Sequence, residues 1–125
     1  MMNFLKKLFQ SEPRPMKITN IEARLNAADG GRMHGELEYE AYDNGQWELE
    51  IDIEHMGPAP NGPLDIRIDG RSLMSLPVSQ RGNDTEVKLS SRRGDTLSVT
   101  PAIGMSVEVR NATGVLLTGT FAADY

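Results

Sequence analysis

The feature that most restricts this chain is a two-residue hydrophobic period on both sides of one turn. Met33, Gly35, Leu37, Tyr39 and Ala41 alternate with His34, Glu36, Glu38 and Glu40. Beyond Asp43-Asn44-Gly45, Trp47, Leu49, Ile51 and Ile53 alternate with Glu48, Glu50, Asp52 and Glu54. Successive side chains of a strand point to opposite faces, so each run has one dry face and one wet face. The dry residues are odd-numbered on both arms, so directly opposed partners must sum to an even number. A three-residue loop Asp43-Asn44-Gly45 with Gly45 in the left-handed region satisfies this. The register follows: Ala41 faces Trp47, Tyr39 faces Leu49, Leu37 faces Ile51 and Gly35 faces Ile53, all inward.

On the outer face the same register sets Glu40 against Glu48, Glu38 against Glu50, Glu36 against Asp52 and His34 against Glu54. Directly opposed like charges destabilise a sheet, where an opposite-charge pair contributes about 0.2–1 kcal/mol. A slip of one residue would turn the carboxylates into the core. The hairpin is therefore committed to an outward patch of seven carboxylates, Glu36, Glu38, Glu40, Glu48, Glu50, Asp52 and Glu54. Three readings fit such a patch: solvation helped by basic residues such as Arg24, Arg67, Lys88 and Arg110, a basic protein partner, or a divalent cation. In the last reading His34, Glu36, Asp52 and Glu54 form a two-by-two set of mixed nitrogen and oxygen ligands.

The period of two continues along the chain. Ile21, Ala23 and Leu25 precede the Ala28-Asp29-Gly30-Gly31 turn; Leu64, Ile66 and Ile68 precede Asp69-Gly70. Met74, Leu76 and Val78 form a shorter strand that Pro77 assigns to an edge. Val87 and Leu89, Val107 and Val109, and Val115 to Phe121 complete the set, with an irregular stretch from Arg92 to Met105. About eight short strands separated by turn residues predict an all-β, antiparallel sandwich or closed barrel over 17–122, with two packed sheets the more economical reading. The Pro-rich connection His55 to Pro63 is placed to carry the chain from one sheet to the other.

The first residues break the pattern. Phe4, Leu5, Leu8 and Phe9 share one face of a short amphipathic helix over 1–10, with Lys6 and Lys7 off that face. Lys6 and Lys7 interrupt the apolar run, so the segment is expected to be retained and not cleaved as a secretory signal. Pro13 and Pro15 end the helix and make 11–16 a stiff linker. Ten residues are too few to be helical alone in water. Burial of four large apolar side chains, about 1.5–3 kcal/mol each, suffices to dock the segment back on its own domain or over a sheet edge, or to tether it to a protein partner, a like copy or an anionic membrane surface.

The strand-loop stretch Leu49 to Gly57, the Ile66-Arg67-Ile68-Asp69-Gly70 turn, the hairpin Ser106-Val-Glu-Val-Arg-Asn-Ala-Thr-Gly and the closing Leu117-Thr-Gly-Thr-Phe121 resemble uncharacterised bacterial β-sandwich modules. That resemblance implies a fold and no chemistry.

The 125 residues suit one domain, and 18 acidic against 13 basic residues, a formal charge of −5, argue against nucleic acid as partner. With no cysteine, thiolate metal sites, disulfides and thiol nucleophiles are excluded. His34 and His55 are the two histidines, and His55 reads as a solvated loop residue; no Ser-His-Asp set is assembled. Arg93-Gly94-Asp95 spells an integrin-type tripeptide of a kind that often arises by chance, and the sequon Asn111-Ala112-Thr113 reads as a hairpin turn. The expectation is a non-catalytic interaction or structural module without a cofactor, cytoplasmic or peripheral to a membrane. Its alternative is a ligand- or divalent-metal-binding domain.

Overall fold

The computed structural model describes residues 14–56, 63–76 and 84–124. The predicted N-terminal helix with Phe4, Leu5, Lys6, Lys7, Leu8 and Phe9 lies outside the described residues. Eight strands follow: β1 (Lys17–Ala27), β2 (His34–Tyr42), β3 (Trp47–Glu54), β4 (Leu64–Ile68), β5 (Arg71–Leu76), β6 (Thr85–Ser90), β7 (Ser106–Asn111) and β8 (Gly114–Ala123). Among the described residues the one helical element is a single 3-10 turn, Ser91–Arg93. No helix among them is long and apolar enough to cross a membrane.

The strands form one antiparallel sheet in the order β5-β4-β7-β8-β1-β2-β3-β6, curled into a half-barrel. This differs from the expected pair of packed sheets. A sandwich and a curled sheet ask for the same alternation, one dry face and one wet face, so periodicity does not separate them. What decides is pairing: β1 bonds to β2 on one side and to β8 on the other, so the sheet never divides. Connectivity also demands the curl. β5 and β6 are consecutive in sequence yet occupy opposite edges. Seven spacings of about 4.8 Å would hold the edges of a flat sheet about 34 Å apart. The nine-residue step from Leu76 to Thr85 reaches only about 32 Å even when fully extended. Bulges between Ile66 and Arg67 and between Val109 and Arg110 add local twist.

The concave face is the core. Ile21, Ala23 and Leu25 of β1, Leu37 and Tyr39 of β2, Leu49, Ile51 and Ile53 of β3, Leu64, Ile66 and Ile68 of β4, Val107 and Val109 of β7, and Leu117 and Phe121 of β8 form one buried cluster. The irregular stretch after β6 closes the open side. Its Val99 is buried in that cluster, with Leu97 and Met105 packed against it. Asp95 accepts a hydrogen bond from the Ser90 N–H on β6 (2.9 Å), and the Ser98 hydroxyl donates to the Ser72 carbonyl on β5 (2.9 Å). The segment thus straps one sheet edge to the other and satisfies edge groups that would otherwise invite pairing.

Candidate functional site

The β2–β3 hairpin has the register derived from its alternation. His34 pairs with Glu54, Gly35 with Ile53, Glu36 with Asp52, Leu37 with Ile51, Glu38 with Glu50, Tyr39 with Leu49, Glu40 with Glu48 and Ala41 with Trp47. Gly45 closes the turn at φ 86°, and Tyr42 and Gly45 complete its hydrogen bonds. Tyr39 is buried as expected, whereas Trp47 is only half-buried. Gly35 has its own reason: a Cβ there would collide with the carbonyl oxygen of Asp52.

The flanking strands extend the acidic face. On β1, Glu22 stands opposite Glu38 and Arg24 opposite Glu36. On β6, Glu86 stands opposite Asp52, Lys88 opposite Glu50 and Ser90 opposite Glu48. One row across four strands therefore reads Glu22, Glu38, Glu50, Lys88, and the next reads Arg24, Glu36, Asp52, Glu86. Asp124, just beyond β8, comes within ligand distance of Glu22 and Glu38. Sequence reasoning did not place Glu22, Glu86 or Asp124 in the patch. The first two become visible only when the hairpin's neighbours are known, and no local signal marks the third.

Cations gather at the margins. The Lys17 ammonium lies 3.0 Å from Glu40 Oε1, and the Tyr42 hydroxyl donates to Glu40 Oε2 at 3.0 Å. Lys88 lies 3.6 Å from Glu86, and the largely exposed Arg24 reaches back 3.9 Å to Glu22 instead of across to Glu36. Among the described residues, no basic nitrogen comes within 4.0 Å of Glu36, Glu38, Glu50 or Asp52.

The energetic consequence appears in the carboxyl groups. Partial burial, then the hydrogen bond and charge of Glu36 and the charges of Asp124 and Glu38, push Glu22 up to about 6. Burial and the charges of Glu36, Asp124 and Glu50 raise Glu38. Glu50 is raised by burial and a hydrogen bond with Glu86, against the lowering influence of Lys88. Burial and the charges of Glu54, Glu86, Glu36 and Asp84 raise Asp52. All four resist ionisation first because partial burial penalises the charged form, and then because neighbouring carboxylates add negative charge.

The other half of the same sheet behaves differently. There Asp65 stands opposite Arg110, and Arg67 opposite Glu108. Arg67 lies 2.7 Å from Asp65, and Arg110 lies 2.9 Å from Glu108. Hydrogen bonds from Arg67 and Ser72 hold the Asp65 carboxyl below the usual range. Crowded acid is thus a property of one half of the convex face.

That half is not flat. A cavity of about 350 Å³ is lined by Glu38, Glu40, Glu48 and Glu50, with Lys88 and Arg93 on its β6 side. A smaller one of about 110 Å³ lies among Glu36, Glu38, Glu50 and Asp52. Of the four residues read as a metal set, His34 and Glu54 meet directly, Nε2 to Oε2 at 3.0 Å. Glu36 and Asp52 pair with each other one row along; the third group that converges on His34 and Glu54 is His55.

Comparison with protein-family models, with curated proteins and with solved structures found no match.

Proposed function

We propose that the protein is a non-catalytic interaction module that presents the acidic half of its convex face to a basic protein partner. The observation that carries this reading is the row Glu22, Glu38, Glu50, flanked by Glu36 and Asp52, where the register opposes like charges and burial raises carboxyl pKa values. A Lys or Arg side chain laid across that row supplies positive charge where the cavity among Glu36, Glu38, Glu50 and Asp52 is lined by carboxylates alone. Complementary charge of this kind sets partner choice and encounter rate more than raw affinity.

The second contact of the proposal is the N-terminal segment Phe4, Leu5, Lys6, Lys7, Leu8 and Phe9, acting as a tether to a protein partner, a like copy or a membrane surface. The Met16 N–H donates to Asp43 Oδ1 at 3.0 Å, and the Asp43 N–H donates to the Met16 carbonyl at 2.8 Å. Met16 is thus held beside the β2–β3 turn, at the Glu40–Glu48 end of the acidic face. Deleting residues 1–12 is expected to change elution on size exclusion or binding to anionic vesicles; no change in either removes the tether.

The acidic face is tested by fluorescence anisotropy with a short Lys/Arg-rich peptide and its Glu-rich counterpart. The basic peptide should bind, weaken steeply with added salt, and lose roughly tenfold in affinity against a Glu38→Gln/Glu50→Gln variant, about 1.4 kcal/mol. Equal binding by native and variant protein, or no binding at low salt, removes the proposal.

A further inference from the structure

The geometry points to a divalent metal site of the zinc class built by His34, Glu54 and His55 at the end of the β2–β3 hairpin, apart from the carboxylate row proposed for a basic partner. Each residue offers one donor atom, and the three donors lie within 4.8 Å of one another. His34 and Glu54 are directly opposed across the hairpin, with Nε2 and Oε2 3.0 Å apart. Ligand atoms about 2.0–2.1 Å from a tetrahedral zinc ion stand about 3.3 Å from each other. One edge of the polyhedron is thus nearly in place, and the third donor has only a short distance to close. All three side chains have the exposure needed to adjust.

The protonation chemistry favours a cation. His34 Nδ1 lies 3.1 Å from the Arg32 carbonyl oxygen. A carbonyl only accepts, so Nδ1 carries the proton and the neutral ring turns its Nε2 lone pair outward, toward the Glu54 carboxylate. Two lone-pair donors then face each other and need a positive charge between them: a second proton on His34, or a metal ion. A histidine whose far nitrogen donates to a backbone carbonyl while the near one faces the site is the arrangement that orients metal-binding imidazoles.

His55 reaches the site by an unusual backbone. Glu54 and His55 are adjacent, so in a continuing strand their side chains would point to opposite faces. His55 instead takes φ 57°, a left-handed conformation uncommon outside glycine. Its N–H lies 3.4 Å from Asp84 Oδ1, at the start of β6. This swings the imidazole back to the outer face, where its ring centroid lies 5.3 Å from that of His34. Two imidazole nitrogens and one carboxylate oxygen suit zinc and poorly suit calcium, which takes six to eight oxygens. Three protein ligands leave a fourth position open to water or to a donor from elsewhere.

The test is calorimetric titration of the full chain with zinc chloride at pH 7.5 in a non-coordinating buffer, with calcium chloride in parallel. One saturable zinc site and no calcium site are expected. His34→Ala and His55→Ala should each lower zinc affinity by at least about tenfold, while Glu108→Gln, on the far half of the sheet, leaves it unchanged. On the native protein, which needs no variant to fold, zinc should shift the imidazole nitrogen resonances of His34 and His55 together. Absence of saturable heat up to millimolar zinc, affinity unaltered by His55→Ala, or zinc binding that leaves both imidazoles unshifted would each overturn the proposal.

Discussion

Glu22 on β1 stands directly opposite Glu38 on β2, and Glu38 in turn stands opposite Glu50 on β3, so one carboxylate is flanked by two others in a single cross-strand row. A β-sheet without a use for that row would be expected to alternate signs, as Asp65 with Arg110 and Arg67 with Glu108 do on the far half. Glu38→Lys would turn two like-charge pairs into two opposite-charge pairs. The variant should be more stable by about 0.5–1 kcal/mol in urea denaturation. It should at the same time lose the basic peptide. A stability gain with loss of binding is the signature of a surface that gives up stability for recognition.

The same row sets a pH dependence. Glu22 is raised to about 6 from an ordinary 4.5, so the folded protein holds that proton more tightly than the unfolded chain does. The stability this contributes is full below about pH 4.5 and is lost as pH rises through about 6. The melting temperature should therefore fall between pH 4.5 and 7, and Glu22→Gln should flatten the decline. His34, raised first by its bond to the Arg32 carbonyl, acts in the same direction at the upper end of that range. Thermal denaturation followed by circular dichroism across this range reads both.

Gly35 is fixed by the closeness of β3. Gly35→Ala would press a methyl group against the Asp52 carbonyl, and the ladder between two rows of the acidic face would have to open. Overpacking of this kind costs about 1–3 kcal/mol. Chemical denaturation should show that loss, while Gly30→Ala, where nothing lies within 4 Å of the added carbon, is limited to the strain of its positive φ.

Asp69 ties the β4–β5 turn to β7. Its Oδ1 accepts from the Ser106 N–H at 2.8 Å, and its own N–H donates to the Ser106 carbonyl at 2.9 Å. With φ 49° it also occupies a conformation that Asn tolerates and Ala does not. Asp69→Ala should cost about 1–2 kcal/mol, and Asp69→Asn, which keeps the acceptor and the turn preference, should cost much less.

The strands, the core and the full β2–β3 register were legible because alternation and a single left-handed glycine leave one pairing that keeps carboxylates out of the core. Curl was not legible, since Leu64, Ile66 and Ile68 would alternate identically in a second sheet. Nor was the membership of the acidic row beyond the hairpin. Glu22 and Glu86 join it through the neighbours β1 and β6, and Asp124 through a chain end far away in sequence. The sequence around His55 predicts a solvated loop residue; it is exposed, but its left-handed backbone, which no periodicity signals, brings it to His34.

The central claim is that Glu22, Glu38, Glu50 and Asp52 form a surface short of positive charge. Carbon-13 carboxyl NMR titration of these four groups, with and without the basic peptide, tests it most directly. The account predicts elevated pKa values in the free protein that fall when the peptide is bound. Ordinary values in the free protein, or elevated values that the bound peptide leaves unmoved, would contradict it.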